Sequence, residues 1–166
     1  MHGDGESFSL LIKERKEKIY RIAYSYVNNA DDALEIVQEV VYKAFLSIKM
    51  LKYPEYFDTW IIRITINTSI NYLKRYKKVL YLNEEFDNYI SEGSPAYNEE
   101  VIDLYNALSK LDAKYKTVVI LKYFEDLTFQ EISDILDLPV NTVKTQLYRA
   151  LDIMKLELDK EGSRIG

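Results

Sequence analysis

The chain has 166 residues, with 22 Lys and Arg against 27 Asp and Glu, one His, no Cys, five Gly and three Pro. A thiol nucleophile, a disulfide framework and a Cys/His zinc centre are excluded, and the lone imidazole, His2, stands beside Met1, where chain ends are usually poorly ordered. The net charge of −5 argues against coating nucleic acid by bulk electrostatics and leaves local basic patches open.

At 48% hydrophobic and 30% charged, the chain fits one globular domain or two small ones. It contains no run of 18 apolar residues, and its first 20 residues are charged rather than apolar. Neither a membrane span nor a secretory signal is expected, which places the protein in the cytoplasm. Gly is absent from Glu6 to Glu92 and from Ser94 to Glu161, so positive-φ positions are scarce and long helices are expected. The expected fold class is all-α, punctuated by Pro54, Pro95 and Pro139.

In chain order, Ile19, Ile22, Ala23, Tyr26 and Val27 form an apolar stripe in a segment rich in Lys and Arg. A turn near Asn28-Asn29 should then reverse the chain into a second, antiparallel helix opened by Asp31-Asp32. Leu34, Val37, Val41, Ala44, Phe45 and Ile48 step by three and four there and predict one buried stripe, with Asp32, Glu35, Gln38, Glu39 and Lys43 on the other face. Trp60, Ile62, Ile64 and Ile66 alternate as a half-buried strand would. A window extended to Lys78 adds Ile70 and Leu73 at helical spacing, and a lone strand would lack a pairing partner, so helix is favoured. Trp60 is expected in the core.

Arg63, Lys74, Arg75, Lys77 and Lys78 follow with no acid between Thr59 and Lys78. Such a stripe can neutralise phosphates, although cations at a helix end also complement its dipole. From Val79 to Ser109 the sequence carries seven acids and no Lys or Arg, with Gly93-Ser94-Pro95 in the middle. Residues 79–98 therefore read as a flexible acidic linker between a first domain, 6–78, and a second, 99–161. Such a chain spans about 25 Å on average and about 65 Å when extended, so the domains could work some distance apart.

In the second domain Val101, Leu104, Leu108 and Leu111 make one stripe, and Val118 to Tyr123 belong to another helix. Thr128-Phe129-Gln130-Glu131 fits a capping box at a helix start. Ile132, Ile135 and Leu136 point inward, Asp137 to Val140 make a short turn, and Asn141 can cap a helix containing Val143, Leu147, Ala150 and Leu151. This is a helix-turn-helix pattern. Such a second helix enters the major groove with residues near its N-terminus, here Asn141, Thr142, Lys144, Thr145, Gln146, Tyr148 and Arg149. A compact helical domain with no DNA role can show the same pattern.

Four stretches nevertheless make the chain resemble one family: IYRIAYSYV from Ile19, DDALEIVQEVVYKAF from Asp31, FDTWIIRITINTSINYLKR from Phe57, and Leu111 to Leu151 with its LTFQEISDILDLPVNTVKTQLYRAL. They resemble the extracytoplasmic-function (ECF) sigma factors of bacterial RNA polymerase in order, spacing and total length. The resemblance implies two helical modules, sigma-two-like and sigma-four-like, and a non-enzymatic subunit with no cofactor and no small-molecule substrate. Such a subunit joins core polymerase, recognises two promoter elements and helps to melt the DNA. An extended linker would span nearly two turns of duplex at about 34 Å each.

The resemblance also implies roles for individual residues. Asp32, Glu35, Gln38 and Glu39 would dock on the coiled coil of the largest polymerase subunit, Glu35 standing where the family often has Asp. Without the resemblance the same residues read as a solvated acidic face near a helix N-terminus. Leu51, Tyr53 and Tyr56 in the loop, with Arg63, Asn67, Lys74 and Arg75, would meet the minus-ten element. There Asn67 would lie near a base flipped from the non-template strand, its amide offering a donor and an acceptor. Asn141, Thr142, Lys144, Thr145, Gln146 and Arg149 would meet the minus-thirty-five element while the domain contacts the flap of the second-largest subunit. Many relatives carry Arg where Lys144 stands, and Lys lacks the bidentate fork. An anti-sigma factor, often membrane-bound, would hold the protein inactive in an envelope or extracellular stress response.

Overall fold

The computed structural model describes residues 3–82 and 99–165, with the side chains of 5–76, 99–160 and 162. Among the described residues every regular element is helical: α1 (Gly3–Val27), α2 (Ala30–Ser47), α3 (Phe57–Leu82), α4 (Glu99–Ser109), α5 (Ala113–Val119), α6 (Phe129–Leu136) and α7 (Val140–Ile165). Single 3₁₀ turns at Ile48–Met50 and Pro54–Tyr56 shape the α2–α3 loop, and a π-helical turn at Ile120–Phe124 continues α5.

The reversal between α1 and α2 falls where expected. Asn28 adopts φ 50°, a left-handed conformation that asparagine tolerates, and its amide donates to Tyr24 O at 2.7 Å. Asn29 then caps α2 by accepting from the Asp32 amide at 2.9 Å. The stripe of α2 is rotated from its expected phase. Ala33, Ile36, Val37, Val40 and Ala44 are buried, whereas Leu34 and Phe45 are 47% and 57% exposed. Apolar residues run round most of α2, so periodicity alone does not fix the side that α1 and α3 cover.

The ambiguous run at Trp60 to Ile66 lies inside α3. Trp60 and Ile64 pack with Ile61 on the core beneath α1 and α2, while Ile62 and Ile66 join Ile70 and Leu73 on a second core. The apparent alternation is thus two sets of helical pairs on opposite sides of one helix. Trp60 is half-buried, its ring 5.6 Å from that of Phe57. The buried hydroxyls of Thr65 and Ser69 donate one turn back, to Ile61 O (2.7 Å) and Thr65 O (2.8 Å), so this doubly covered helix leaves neither unsatisfied.

The capping box of α6 is formed: the Glu131 amide donates to Thr128 Oγ1 (3.2 Å) and the Thr128 amide to Glu131 Oε2 (2.7 Å). Asp137 ends α6 in the left-handed region at φ 54°. Asn141 does not cap α7. That helix begins at Val140, with the Pro139 carbonyl already accepting from the Val143 amide at 3.1 Å. Proline's fixed φ suits a helix start, and it displaces the cap by two residues.

Both expected modules are present, and they rest against each other. The first core holds Phe8, Ile12, Ile19, Ala23, Ile36, Val40 and Ile61. The second, built from Leu108, Leu111, Val118 to Leu121, Ile132, Ile135, Val143 and Leu147, also takes in Ile22 and Tyr26 of α1 and Ile62 and Ile66 of α3. Polar contacts line this seam. Arg21 grips Glu125 through both carboxylate oxygens (2.9 and 3.2 Å), the Tyr26 and Thr117 hydroxyls share a buried hydrogen bond, and Lys116 Nζ donates to Tyr26 O at 3.4 Å. Of the expected linker, residues 79–82 finish α3 and 83–98 lie outside the described residues.

Candidate nucleic-acid interface

The acidic row of α2 is organised from α3. The Tyr72 hydroxyl donates to Asp32 at 2.7 Å and lies 3.3 Å from Glu35, while Arg75 Nη2 donates to Glu39 at 2.8 Å. Burial, then Asp32 and Glu35, push the Tyr72 phenol well above its ordinary value. Lys43 reaches Glu39 from the adjacent turn at 2.9 Å. Burial pushes the Glu39 carboxyl up, but hydrogen bonds from Lys43 and Arg75 outweigh it and hold the group below its ordinary value.

A carboxyl depressed in the folded state stabilises it above the unfolded value, and that contribution disappears as pH falls through the folded value. Glu39→Gln is therefore expected to lower the melting temperature near neutral pH and to shallow its fall below about pH 4.5. Thermal melts across that range check this, and parallel curves for the variant and the parent would contradict it.

Gln38 is exposed on this face, and large apolar neighbours surround it: Leu34, Tyr42, Phe45 and Leu46 are 47% to 64% exposed. Tyr42 and Leu46 lie outside the set of residues expected from the sequence, and Leu34 and Phe45 belong to its expected buried stripe. The signal is nonetheless present, because α2 carries more apolar positions than a single buried stripe requires.

The residues expected at the minus-ten element are distributed over three places. Tyr53 and Tyr56 stand exposed on the α2–α3 loop, their rings perpendicular and 6.1 Å apart, beside an exposed Met50. Leu51 is half-buried against the first core. Lys74 and Arg75 lie near the far end of α3, where Arg75 is committed to Glu39, and the side chains of Lys77 and Lys78 lie outside the described residues. Arg63 faces the other module: its Nε donates to Ile135 O and its Nη2 to Asp134 O, both at 2.9 Å, satisfying carbonyls at the end of α6. Asn67 shares a cleft with Arg63, Leu136 and Asp137.

The residues expected on α7 do gather on one face. Asn141, Thr145 and Arg149 are exposed and Thr142, Lys144 and Gln146 half-exposed, while Val143, Leu147 and Ala150 hold the opposite side in the second core. Thr145 Oγ1 donates back to Asn141 O at 2.9 Å. Lys144 leans towards α6, its Nζ 5.4 Å from the centre of the Phe129 ring, which also receives Lys122 at 4.7 Å. Although the modules are packed together, the N-terminal face of α7 stays open.

Among the described residues no group of three His, Cys, Asp or Glu is placed to hold a metal ion, and no helix is long and apolar enough to cross a membrane. The architecture is that of a two-module helical protein whose second module presents a helix-turn-helix.

The Sigma-70 region 2 family matches residues 11–79, and the Sigma-70 region 4 family matches residues 102–154. The chain is 42% identical over 150 residues to the RNA polymerase sigma factor SigV of Bacillus subtilis, covering 90% of each chain. It is 31% identical over 172 residues to the ECF RNA polymerase sigma factor SigW of the same organism, covering 94% of this chain and 91% of that one. Its fold matches that of the sigma factor RpoE of Bartonella quintana, solved in complex with the anti-sigma factor NepR. The TM-score is 0.77 at 17% identity, over 93% of this chain and 98% of that one. The chain belongs to the sigma-70 family of RNA polymerase sigma factors, in its extracytoplasmic-function group. It is accordingly a transcription initiation factor, as the sequence resemblance implied.

Proposed function

We propose that this sigma factor docks on core RNA polymerase through α2, reads the upstream promoter element with α7, and meets the minus-ten element through the α2–α3 loop and α3. The polymerase performs the chemistry. The observation that carries this reading is the open polar face of α7, with Lys144, Thr145 and Arg149, in a chain matched by both sigma regions.

On α2, Gln38 and the acids Asp32, Glu35 and Glu39 supply the polar part of the docking surface, and Leu34, Tyr42, Phe45 and Leu46 supply apolar area. Tyr53 and Tyr56 offer faces to unstacked bases, and Asn67 offers an amide to a flipped base. Arg63, Lys74 and Arg75 neutralise phosphate. Because Arg63 and Asn67 face α6 in this conformation, their engagement with DNA follows separation of the modules. Residues 83–98 separate α3 from α4 in the chain, about 50 Å of contour when extended, which permits that.

The RpoE relative was solved with an anti-sigma factor, and the same kind of control suits this chain: a separate partner, membrane-bound, retaining a cytoplasmic sigma factor until an envelope signal releases it. Run-off transcription with purified core polymerase on genomic fragments tests the function. Discrete transcripts that require both proteins are expected. Transcripts no different from those of core alone, or operator binding without polymerase, would instead favour an ordinary helix-turn-helix regulator.

A further inference from the structure

A cleft of about 310 Å³ lies between Lys114 and Tyr115 of α5 and the helix-turn-helix face, where Thr142, Gln146 and Arg149 of α7 border it. No acidic residue lines it. Lys114 Nζ stands 4.9 Å from the centre of the Tyr115 ring, and Arg149 borders the same cleft from α7. Against partial desolvation, the neighbouring Arg149 guanidinium and the charge of Lys114 hold the phenol below its ordinary value. Two cations and a hydroxyl thus converge from two helices on open space. Among the described residues neither cation is paired with a carboxylate, an arrangement suited to an incoming anion.

The dimensions of DNA say which anion. An α-helix with its side chains is about 10–12 Å across, and the major groove is about 12 Å wide. When α7 occupies the groove it fills it, so groups on neighbouring helices meet the strands on either side rather than base edges. On one flank of α7 stand Lys144 and Lys122 over Phe129, at the start of α6. On the other flank stand Lys114 and Tyr115. We infer that Lys114 and Tyr115 form a phosphate-gripping wall on α5 that holds the DNA strand bordering the groove read by α7. Lys114 acts as a point charge, the Tyr115 hydroxyl donates a hydrogen bond and orients Arg149, and neither reads sequence.

The inference rests on the proposed promoter reading by α7, and its test separates the two. Holoenzyme is assembled from core polymerase and each variant, and its affinity for a duplex fragment spanning the upstream element is measured across a salt series, with the element intact or scrambled. Lys114→Ala is expected to weaken binding about three- to tenfold and to reduce the slope of log affinity against log salt by about 0.9, the value for one phosphate contact. The preference for the intact element should not change. Tyr115→Phe should weaken binding with the slope unaltered, and Lys114→Arg should restore the slope. Unchanged affinity and slope for Lys114→Ala, or a loss confined to the intact element, would overturn the wall. Should parent holoenzyme itself ignore the upstream element, the reading by α7 fails first.

Discussion

Replacing Ile22 by alanine is expected to destabilise the chain by about 2–5 kcal/mol, a fall of roughly 5–15 °C in melting temperature for a protein of this size. Ile22 is fully buried, and although it belongs to α1 it lies in the core of the second module with Leu108, Val118 and Ile132. The cavity left by truncation would therefore open at the seam between the modules, where neither can close it alone. Because α1 and α3 both contribute to that core, the parent should unfold in one transition by far-ultraviolet circular dichroism. Ile22→Ala should lower that single transition, as Leu108→Ala should. Two separate steps, with only one displaced by Ile22→Ala, would show that the modules are energetically independent.

Changing Lys144 and Arg149 together to alanine is expected to reduce transcription from the cognate promoter on the order of 100-fold, at about 1–3 kcal/mol for each good base contact. Affinity for core polymerase should be retained, since the proposed docking face lies on α2. Arg149 is exposed and Lys144 half-exposed, and the packing of Lys144 over the Phe129 ring contributes only about 0.5–1 kcal/mol to the fold. The helix-turn-helix should therefore fold normally. Run-off transcription and a core-binding titration on the same preparation check this. Undiminished transcription would remove α7 from promoter reading.

The sequence was most informative where a local rule acts without tertiary competition. Thr128 and Glu131 satisfy each other's backbone within one turn, so their capping box needed nothing from the rest of the molecule. The polar face of α7 was legible for a related reason: Val143, Leu147 and Ala150 fix its inner side, leaving Thr145 and Arg149 outward. The phase of α2 was not legible. Leu34 and Ile36 are equally apolar, and only the placement of α1 and α3 decides which is covered. Trp60 to Ile66 misled in the opposite way, because a helix sandwiched between two cores shows apolar residues at strand-like intervals.

The contact between the modules was the largest omission. Ile22, Tyr26, Ile62 and Ile66 read naturally as interior residues of their own domain, and nothing in their spacing says that they complete another one. Linker length bounds how far two bodies can travel and is silent on whether they stay together. That is decided by buried apolar area, at roughly 25 cal/mol per Å². The candidate site was dispersed accordingly: the α2 and α7 sets each lie on one helix, whereas the minus-ten set, drawn from a loop and two stretches of α3, was divided by the neighbouring module.

Arg63 gives that division a chemical consequence. Its guanidinium occupies the terminal carbonyls of α6, so the same fork cannot simultaneously receive an oxygen of the nucleic acid. In the proposed promoter complex, capture of DNA through that fork is then an exchange of acceptors, in which a helix end must be handed to water before a phosphodiester can take its place. On that proposal a promoter and the protein's own backbone compete for one cation.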